Sequence, residues 1–154
     1  MTTLAKSLNG DGRYGLVLLL IVLALLALAI GGDAVRDGLE WRRSALADGQ
    51  WWRLATGHLV HLDLTHAALN AVGLVLVWAL YARAWSPGQW LAIVGVVVAS
   101  IDAGLWVFVP SLHWYVGASG LLHGLIVAGL VSQLRHERGV AIVVGALLLA
   151  KIVY

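Results

Sequence analysis

Five long apolar segments separated by short polar stretches dominate the sequence. The first is uncharged from Tyr14 to Gly32 and contains fifteen consecutive apolar residues, Leu16 to Ile30. A helix needs about 20 mainly apolar residues to cross a bilayer. The pattern therefore predicts a single all-α transmembrane domain over residues 1–154, with spans at about residues 14–32, 64–82, 89–109, 116–134 and 139–154.

A polar stretch over residues 33–63 separates the first two predicted spans. It mixes charged residues with Trp41, Trp51 and Trp52. Aromatic side chains next to charges are typical of the membrane–water interface. We therefore expect an interfacial first loop with short helices. Two later boundaries carry breaker residues, the turn Ser86-Pro87-Gly88 and Pro110.

The first apolar segment has a second interpretation as a cleaved signal peptide. Lys6 and Arg13 would be its basic region, and Ala27-Leu28-Ala29 resembles a cleavage site. A retained helix is favoured because the apolar run is long and more spans follow. With the amino terminus in the cytoplasm, the short loops around Arg83 and Arg135 carry most of the positive charge expected on that side.

Composition supports a membrane protein and excludes several function classes. Hydrophobic residues make up 61% of the chain and charged residues 12%, whereas soluble domains carry about 25% charged residues. A soluble bundle of this size could not bury so much apolar surface. The absence of cysteine excludes disulfides and thiolate metal sites, and a net charge of +2 without a basic block gives no sign of nucleic-acid binding.

A serine between small residues opens the fourth predicted span, in Gly117-Ala118-Ser119-Gly120. The backbone N–H groups of a first helical turn lack partners within the helix and can stabilise an oxyanion. A serine there could act as a nucleophile if a base removed its proton. The alternative is a packing face, because Gly120 and Gly124 form a G-x-x-x-G pair.

A group of polar residues lies at the start of the second predicted span. His66 and Asn70 are four residues apart and share one helical face, and His58 and His61 precede them. Polar groups at membrane depth usually face a bundle interior or water. Two alternatives stay open, which are ordinary interfacial histidines or a metal or haem site formed by the three imidazoles.

Together these segments resemble the rhomboid intramembrane serine proteases. The resemblance rests on Trp52-Arg53, then His61, then His66-x-x-x-Asn70, then Gly117-x-Ser119-Gly120. It implies that Ser119 is the nucleophile and that His66 and Asn70, with the Ser119 backbone N–H, form the oxyanion hole. Trp52 and Arg53 would belong to a first loop half immersed in the outer leaflet, and His61 would support that loop. The implied substrate is a membrane protein with a transmembrane helix, and no cofactor is implied.

A narrower resemblance is to the rhombosortase subfamily. It rests on Trp52-Arg-Leu-Ala-Thr-Gly-His58-Leu-Val-His61 and on Tyr115-Val-Gly-Ala-Ser119-Gly-Leu-Leu-His123-Gly124. It implies an enzyme of the bacterial inner membrane that processes proteins bearing a carboxyl-terminal Gly-Gly sorting tag.

The general base is missing from this pattern. Rhomboids use a histidine on a sixth span, and the sequence ends at Tyr154 in the fifth apolar segment. We interpret the chain as truncated, with an inactive rhomboid-like helix-binding protein as the second interpretation. A third makes His123 a substitute base, although we expect it to be an active-site neighbour. His113 and His136 are expected to be interfacial, and Asp102 should pair with an Arg or His or face the cavity.

Overall fold

The chain folds as a helical bundle with one small β-ribbon. The computed structural model describes residue 9, residues 11–134 and residues 138–153; His136 lies outside them. The helices are α1 (Gly15–Ile30), α2 (Gly32–Leu39), α3 (Arg43–Ala47), α4 (Arg53–Thr56), α5 (Leu64–Tyr81), α6 (Pro87–Phe108), α7 (Ser119–Gln133) and α8 (Arg138–Val153). The strands are β1 (Trp41–Arg42) and β2 (Trp114–Tyr115).

Side-chain caps define where the two longest helices begin. The Asp63 carboxylate accepts a hydrogen bond from the His66 backbone N–H at 2.7 Å and caps α5. Ser86 and Gln89 form a reciprocal capping box at the start of α6, and Pro87 occupies the first turn, where its missing N–H costs nothing. Both helices therefore start at positions that their own sequence specifies.

Helix α7 lies at the centre of the bundle and packs against α5, α6 and α8. Glycines allow these close approaches. A Cβ at Gly124 would come within 2.4 Å of the Val97 side chain on α6, and one at Gly129 within 2.4 Å of the Tyr81 ring on α5. Small residues at helix crossings are the usual way for membrane helices to gain van der Waals contact. The packing interpretation of the G-x-x-x-G pair is therefore confirmed for Gly124.

The β-ribbon joins the first loop to the segment before α7. Strands β1 and β2 pair antiparallel, with Trp41 opposite Tyr115. The Arg43 guanidinium next to β1 donates to the carbonyl oxygens of Leu105, Trp106 and Val109 at the end of α6, and to that of Leu112. The first loop contains short helices, as predicted, but the ribbon was not predicted.

The predicted helical membrane protein is confirmed at that level of detail. In the described residues, α5 and α6 are long and apolar enough to cross a bilayer, and α1 with α2 would make a third span if that pair, bent by 111°, is counted as one. Helix α7 has only 15 residues and α8 has 16, which gives lengths of about 22 and 24 Å at about 1.5 Å per residue. The count of five spans therefore stays a prediction.

Candidate active site

Ser119 is the first residue of α7, as the sequence predicted. Its side chain is half-buried, and Ala118 in the N-cap position makes no side-chain cap. The first intrahelical bond of α7 is donated by the Leu122 N–H to the Ala118 carbonyl at 2.9 Å. The amides of the preceding positions in this turn therefore have no partner in their own helix, which suits an oxyanion site.

The loop before Ser119 lies directly against the first turn of α5. Gly117 has φ +110°, and a Cβ there would sit 3.0 Å from His66 Cε1 and 3.1 Å from His66 Nε2. Only glycine combines this backbone conformation with so close an approach. The sequence-predicted groups on α5 and α7 are therefore neighbours, with His66 in contact with the loop two residues before Ser119.

Asn70 lies one turn further along α5 and is buried. Its side-chain Nδ2 donates to the His66 carbonyl at 3.0 Å. An amide group has two donor hydrogens, so the second remains for a ligand. Asn70 is thus fixed by its own helix on the face that carries His66.

His61 holds the same loop from the other side. Its Nε2 accepts a hydrogen bond from the Ala118 N–H at 3.4 Å, and its ring stands perpendicular to that of His66, with centroids 5.0 Å apart. Burial, and then the electrostatic influence of His66, lower the pKa of His61 to about 4, outweighing the opposite effects of Leu59 and Asp63. A neutral imidazole at this position keeps Nε2 free to accept from the loop.

A buried hydrogen-bonding contact with His58 accounts for Asp102. Its Oδ1 is 3.3 Å from His58 Nε2, and the two residues are 7% and 1% exposed. A carboxylate at this depth needs a hydrogen-bonding partner. Of the alternatives that the sequence left open, the structure gives Asp102 a histidine partner.

Trp52 and Arg53, which the sequence analysis placed in the first loop, differ in burial. Arg53 is buried and donates from Nη1 to the carbonyls of Asp37 and Glu40, and from Nε to Gln50. Trp52 is exposed. Arg53 therefore holds the loop together, while Trp52 is available to the surroundings.

Two other histidines take separate positions. His123 Nδ1 lies 2.6 Å from the Ser119 carbonyl, one turn back on α7, so this nitrogen is engaged with the backbone. His113 is exposed and lines a cavity of about 580 Å³ with Arg42, Arg43 and Trp106, away from Ser119. His123 is thus a neighbour of the site, and His113 lies at a surface rich in aromatic and basic groups.

Sequence reasoning gave no role to Tyr115, which the structure brings to Ser119. Its hydroxyl donates to the Gly117 carbonyl at 3.0 Å. Burial raises the pKa of Tyr115, and the nearby Gly120 backbone and Ser119 side chain partly offset that rise. The sequence offered two signals for it, a hydroxyl-bearing residue four positions before the serine and its place at the start of the motif that runs to Gly124. Gly120 lies close to both Tyr115 and α6, since a Cβ there would be 3.1 Å from the Tyr115 hydroxyl and 3.1 Å from the Ile101 side chain.

The histidines among the described residues do not form a cluster suited to a metal ion. In the part of the chain that the structure describes, no group of three or more His, Cys, Asp or Glu side chains is arranged to hold a metal ion. His58 and His61 are instead directed to Asp102 and Ala118. This arrangement gives no support to the metal interpretation.

The fold and site define an integral membrane protein in which a serine opens a central helix beside two polar residues, His66 and Asn70, from another helix. Residues 48–154 match the rhomboid domain. The chain therefore belongs to the rhomboid family, a family of intramembrane serine proteases.

Two relatives from Bacillus subtilis (strain 168) are similar to part of the chain. The rhomboid protease GluP is 33% identical over 95 residues, which cover 62% of this chain and 18% of GluP. YdcA, a provisionally assigned rhomboid protease, is 30% identical over 90 residues, which cover 58% of this chain and 45% of YdcA. The chain thus spans less than half the length of either relative. No solved structure gives a significant match.

Proposed function

We propose that the chain carries the nucleophile and oxyanion hole of an intramembrane serine endopeptidase, with Ser119 as the attacking residue. The observation that carries this proposal is the contact between the Gly117 backbone and the His66 ring, which sets the first turn of α7 beside α5. Ser119 opens that turn and is half-buried. Family membership adds independent support, because residues 48–154 include every residue of the proposed site.

In the proposed reaction Ser119 Oγ attacks the carbonyl carbon of the scissile peptide bond. The negative charge that develops on the carbonyl oxygen is stabilised by the Ser119 backbone N–H and by the side chains of His66 and Asn70. A general base takes the Ser119 hydroxyl proton and passes it to the amine, which leaves as the C–N bond breaks; water then hydrolyses the acyl-enzyme, releasing the carboxylic acid and restoring Ser119. Asn70 supports this role with its second amide hydrogen, since the first is held by the His66 carbonyl.

We assign none of the described histidines as the general base. In the part of the chain that the structure describes, no histidine forms a hydrogen bond to the Ser119 hydroxyl: His58 Nε2 faces Asp102, His61 Nε2 accepts from the Ala118 N–H, and His123 Nδ1 faces the Ser119 carbonyl. This observation favours a second candidate function, a rhomboid-like protein that binds membrane helices without cleaving them. The two functions differ in the reactivity of Ser119.

The proposed substrate is a membrane protein cut in or near a transmembrane segment, in a bacterial inner membrane. We further propose that its class is the proteins with a carboxyl-terminal Gly-Gly sorting tag. The support is the rhombosortase-like pair of motifs, which here comprise His58, His61, Tyr115, Ser119 and His123. In this structure these five residues surround one loop, and His58 and Tyr115 contact each other.

The test of the nucleophile is labelling of the full chain, purified in mild detergent, with a fluorophosphonate probe. Wild-type protein should be labelled on Ser119, and Ser119→Ala should abolish labelling. Ser132→Ala is the matched control, because Ser132 lies on the same helix with its hydroxyl bonded to the Gly129 carbonyl. An unlabelled but folded wild-type protein would favour the helix-binding function.

The substrate class is tested separately in bacterial cells. A secreted reporter fused to a Gly-Gly tag, an apolar helix and a basic tail should be cleaved when wild-type protein is co-expressed, and not with Ser119→Ala. The same reporter with Ala-Ala in place of Gly-Gly is the control. Equal cleavage of both reporters would reject the sorting-tag class while leaving the peptidase proposal intact.

A further inference from the structure

A series of contacting polar side chains runs from α6 to the loop over residues 116–118, which precedes Ser119. The proposed reaction uses none of these side chains. The series begins at Asp102 on α6, 3.3 Å from His58. With the carboxylate as acceptor, His58 Nε2 carries the proton, and the ring orientation is fixed by this bond. The pair links α6 to the first loop across 44 residues of sequence.

The second step of the series is the contact between His58 and Tyr115. Their ring centroids are 5.5 Å apart with planes at 61°, an edge contact typical of aromatic pairs. The backbone of Tyr115 is held independently by its pairing with Trp41. The strand therefore fixes where the residue is, and His58 restricts the direction in which its phenol points.

The third step is the phenol hydroxyl, which touches the loop at several points. It donates to the Gly117 carbonyl at 3.0 Å and lies 3.1 Å from where a Cβ on Gly120 would be. The Ser119 side chain and the Gly120 backbone are near enough to influence the pKa of this hydroxyl. One hydroxyl donates once and can accept twice, so after donating to Gly117 the phenol can still accept from a donor on the other side of Ser119.

We propose that Tyr115 is a positioning residue for Ser119 and that the His58–Asp102 pair acts through it by orienting its phenol. The inference rests on the proposed function, in which Ser119 must point at a substrate carbonyl. Without the hydroxyl, the Gly117 carbonyl would lose the hydrogen bond that ties the loop before Ser119 to the phenol.

The experiment combines two measurements on the full chain in detergent. The first is the exchange of backbone hydrogens in the peptide covering residues 116–122, measured by mass spectrometry. The second is fluorophosphonate labelling of Ser119, resolved into probe affinity and maximal rate. Tyr115→Phe removes only the oxygen atom and should leave the fold intact. It should speed exchange in that peptide by roughly fivefold, the factor expected for one lost hydrogen bond of about 1 kcal/mol. The maximal labelling rate should fall by a similar factor, with probe affinity unchanged.

Two further variants test whether the pair acts through the phenol. His58→Ala should reproduce the effects of Tyr115→Phe, and the double variant should be no worse than either single one, because both changes disable the same contact. Tyr81→Phe is the matched control. The Tyr81 hydroxyl is buried and has no hydrogen-bond partner among the described residues. Tyr81 is the last residue of α5, at the end of the helix opposite to His66.

The outcomes separate this inference from the proposed function. If wild-type protein is labelled and Tyr115→Phe matches it in both measurements, the inference is wrong and the peptidase proposal stands. Additive effects in the double variant would also overturn the role of His58. If wild-type protein is not labelled, the peptidase proposal fails, and the exchange measurement alone decides the inference. Faster exchange at residues 116–122 in Tyr115→Phe would then support it, and unchanged exchange would reject it.

Discussion

Replacing Gly117 by alanine should lower both the stability of the fold and the reactivity of Ser119, because the loop before Ser119 has no space for the added methyl group. The residue has φ +110°, where an L-residue costs about 1–3 kcal/mol. The added Cβ would also lie 3.0–3.1 Å from two atoms of the His66 ring, so the ring or the loop must move. Overpacking of this kind costs about 1–3 kcal/mol. The two terms together give about 2–6 kcal/mol.

The assay for Gly117→Ala is thermal unfolding in detergent together with fluorophosphonate labelling. At about 2–4 °C per kcal/mol for a chain of this size, a loss of about 3 kcal/mol lowers the unfolding temperature by roughly 6–12 °C. Labelling of Ser119 should fall at least tenfold, since the His66 ring and the turn are displaced relative to each other.

Glycines elsewhere provide the control. Gly95 and Gly104 lie within α6, and nothing is within 4 Å of the Cβ that each would gain. Alanine at either position should leave labelling unchanged and stabilise the helix by about 0.5–1 kcal/mol. If Gly117→Ala unfolds at the wild-type temperature and labels at the wild-type rate, the claim that the loop abuts His66 is refuted.

Three other perturbations have definite expected outcomes. Asp63→Ala removes the cap of α5 and should lower the free energy of unfolding by about 1 kcal/mol, seen as a lower unfolding temperature. Asp63→Asn keeps a capping oxygen and should retain most of the wild-type stability. Arg43→Gln removes donors to four carbonyls around the end of α6 and should accelerate hydrogen exchange at residues 105–112. Unchanged exchange there would contradict the view that the Arg43 guanidinium holds this segment in place. The pKa of His61 is about 4 in the fold and about 6.5 in an unfolded chain, so the unfolded chain takes up a proton first as the pH falls. Stability should therefore decrease between about pH 6.5 and pH 4, and His61→Asn should flatten that part of the profile.

The local features of this protein were readable from its sequence because they depend on neighbours along the chain. Apolar runs predicted helices, and Asp63 and Ser86 stand where caps are required. The position of Ser119 at a helix start followed from Gly117-Ala118-Ser119-Gly120 preceding an apolar run. The rhomboid family was identifiable because its motifs keep a fixed order and spacing, and the match over residues 48–154 confirms it.

Other features were decided only by tertiary packing. The partner of Asp102 could not be named from sequence, since several histidines and arginines were equally available, and only the approach of α6 to the first loop selects His58. The roles of Tyr115 and Arg43 depend on contacts across many residues, including the pairing of β1 with β2. Two-residue strands carry too little periodicity to predict. Contacts between residues this far apart in the sequence depend on which helix and loop surfaces meet when the bundle packs. They can therefore be read only from the tertiary structure.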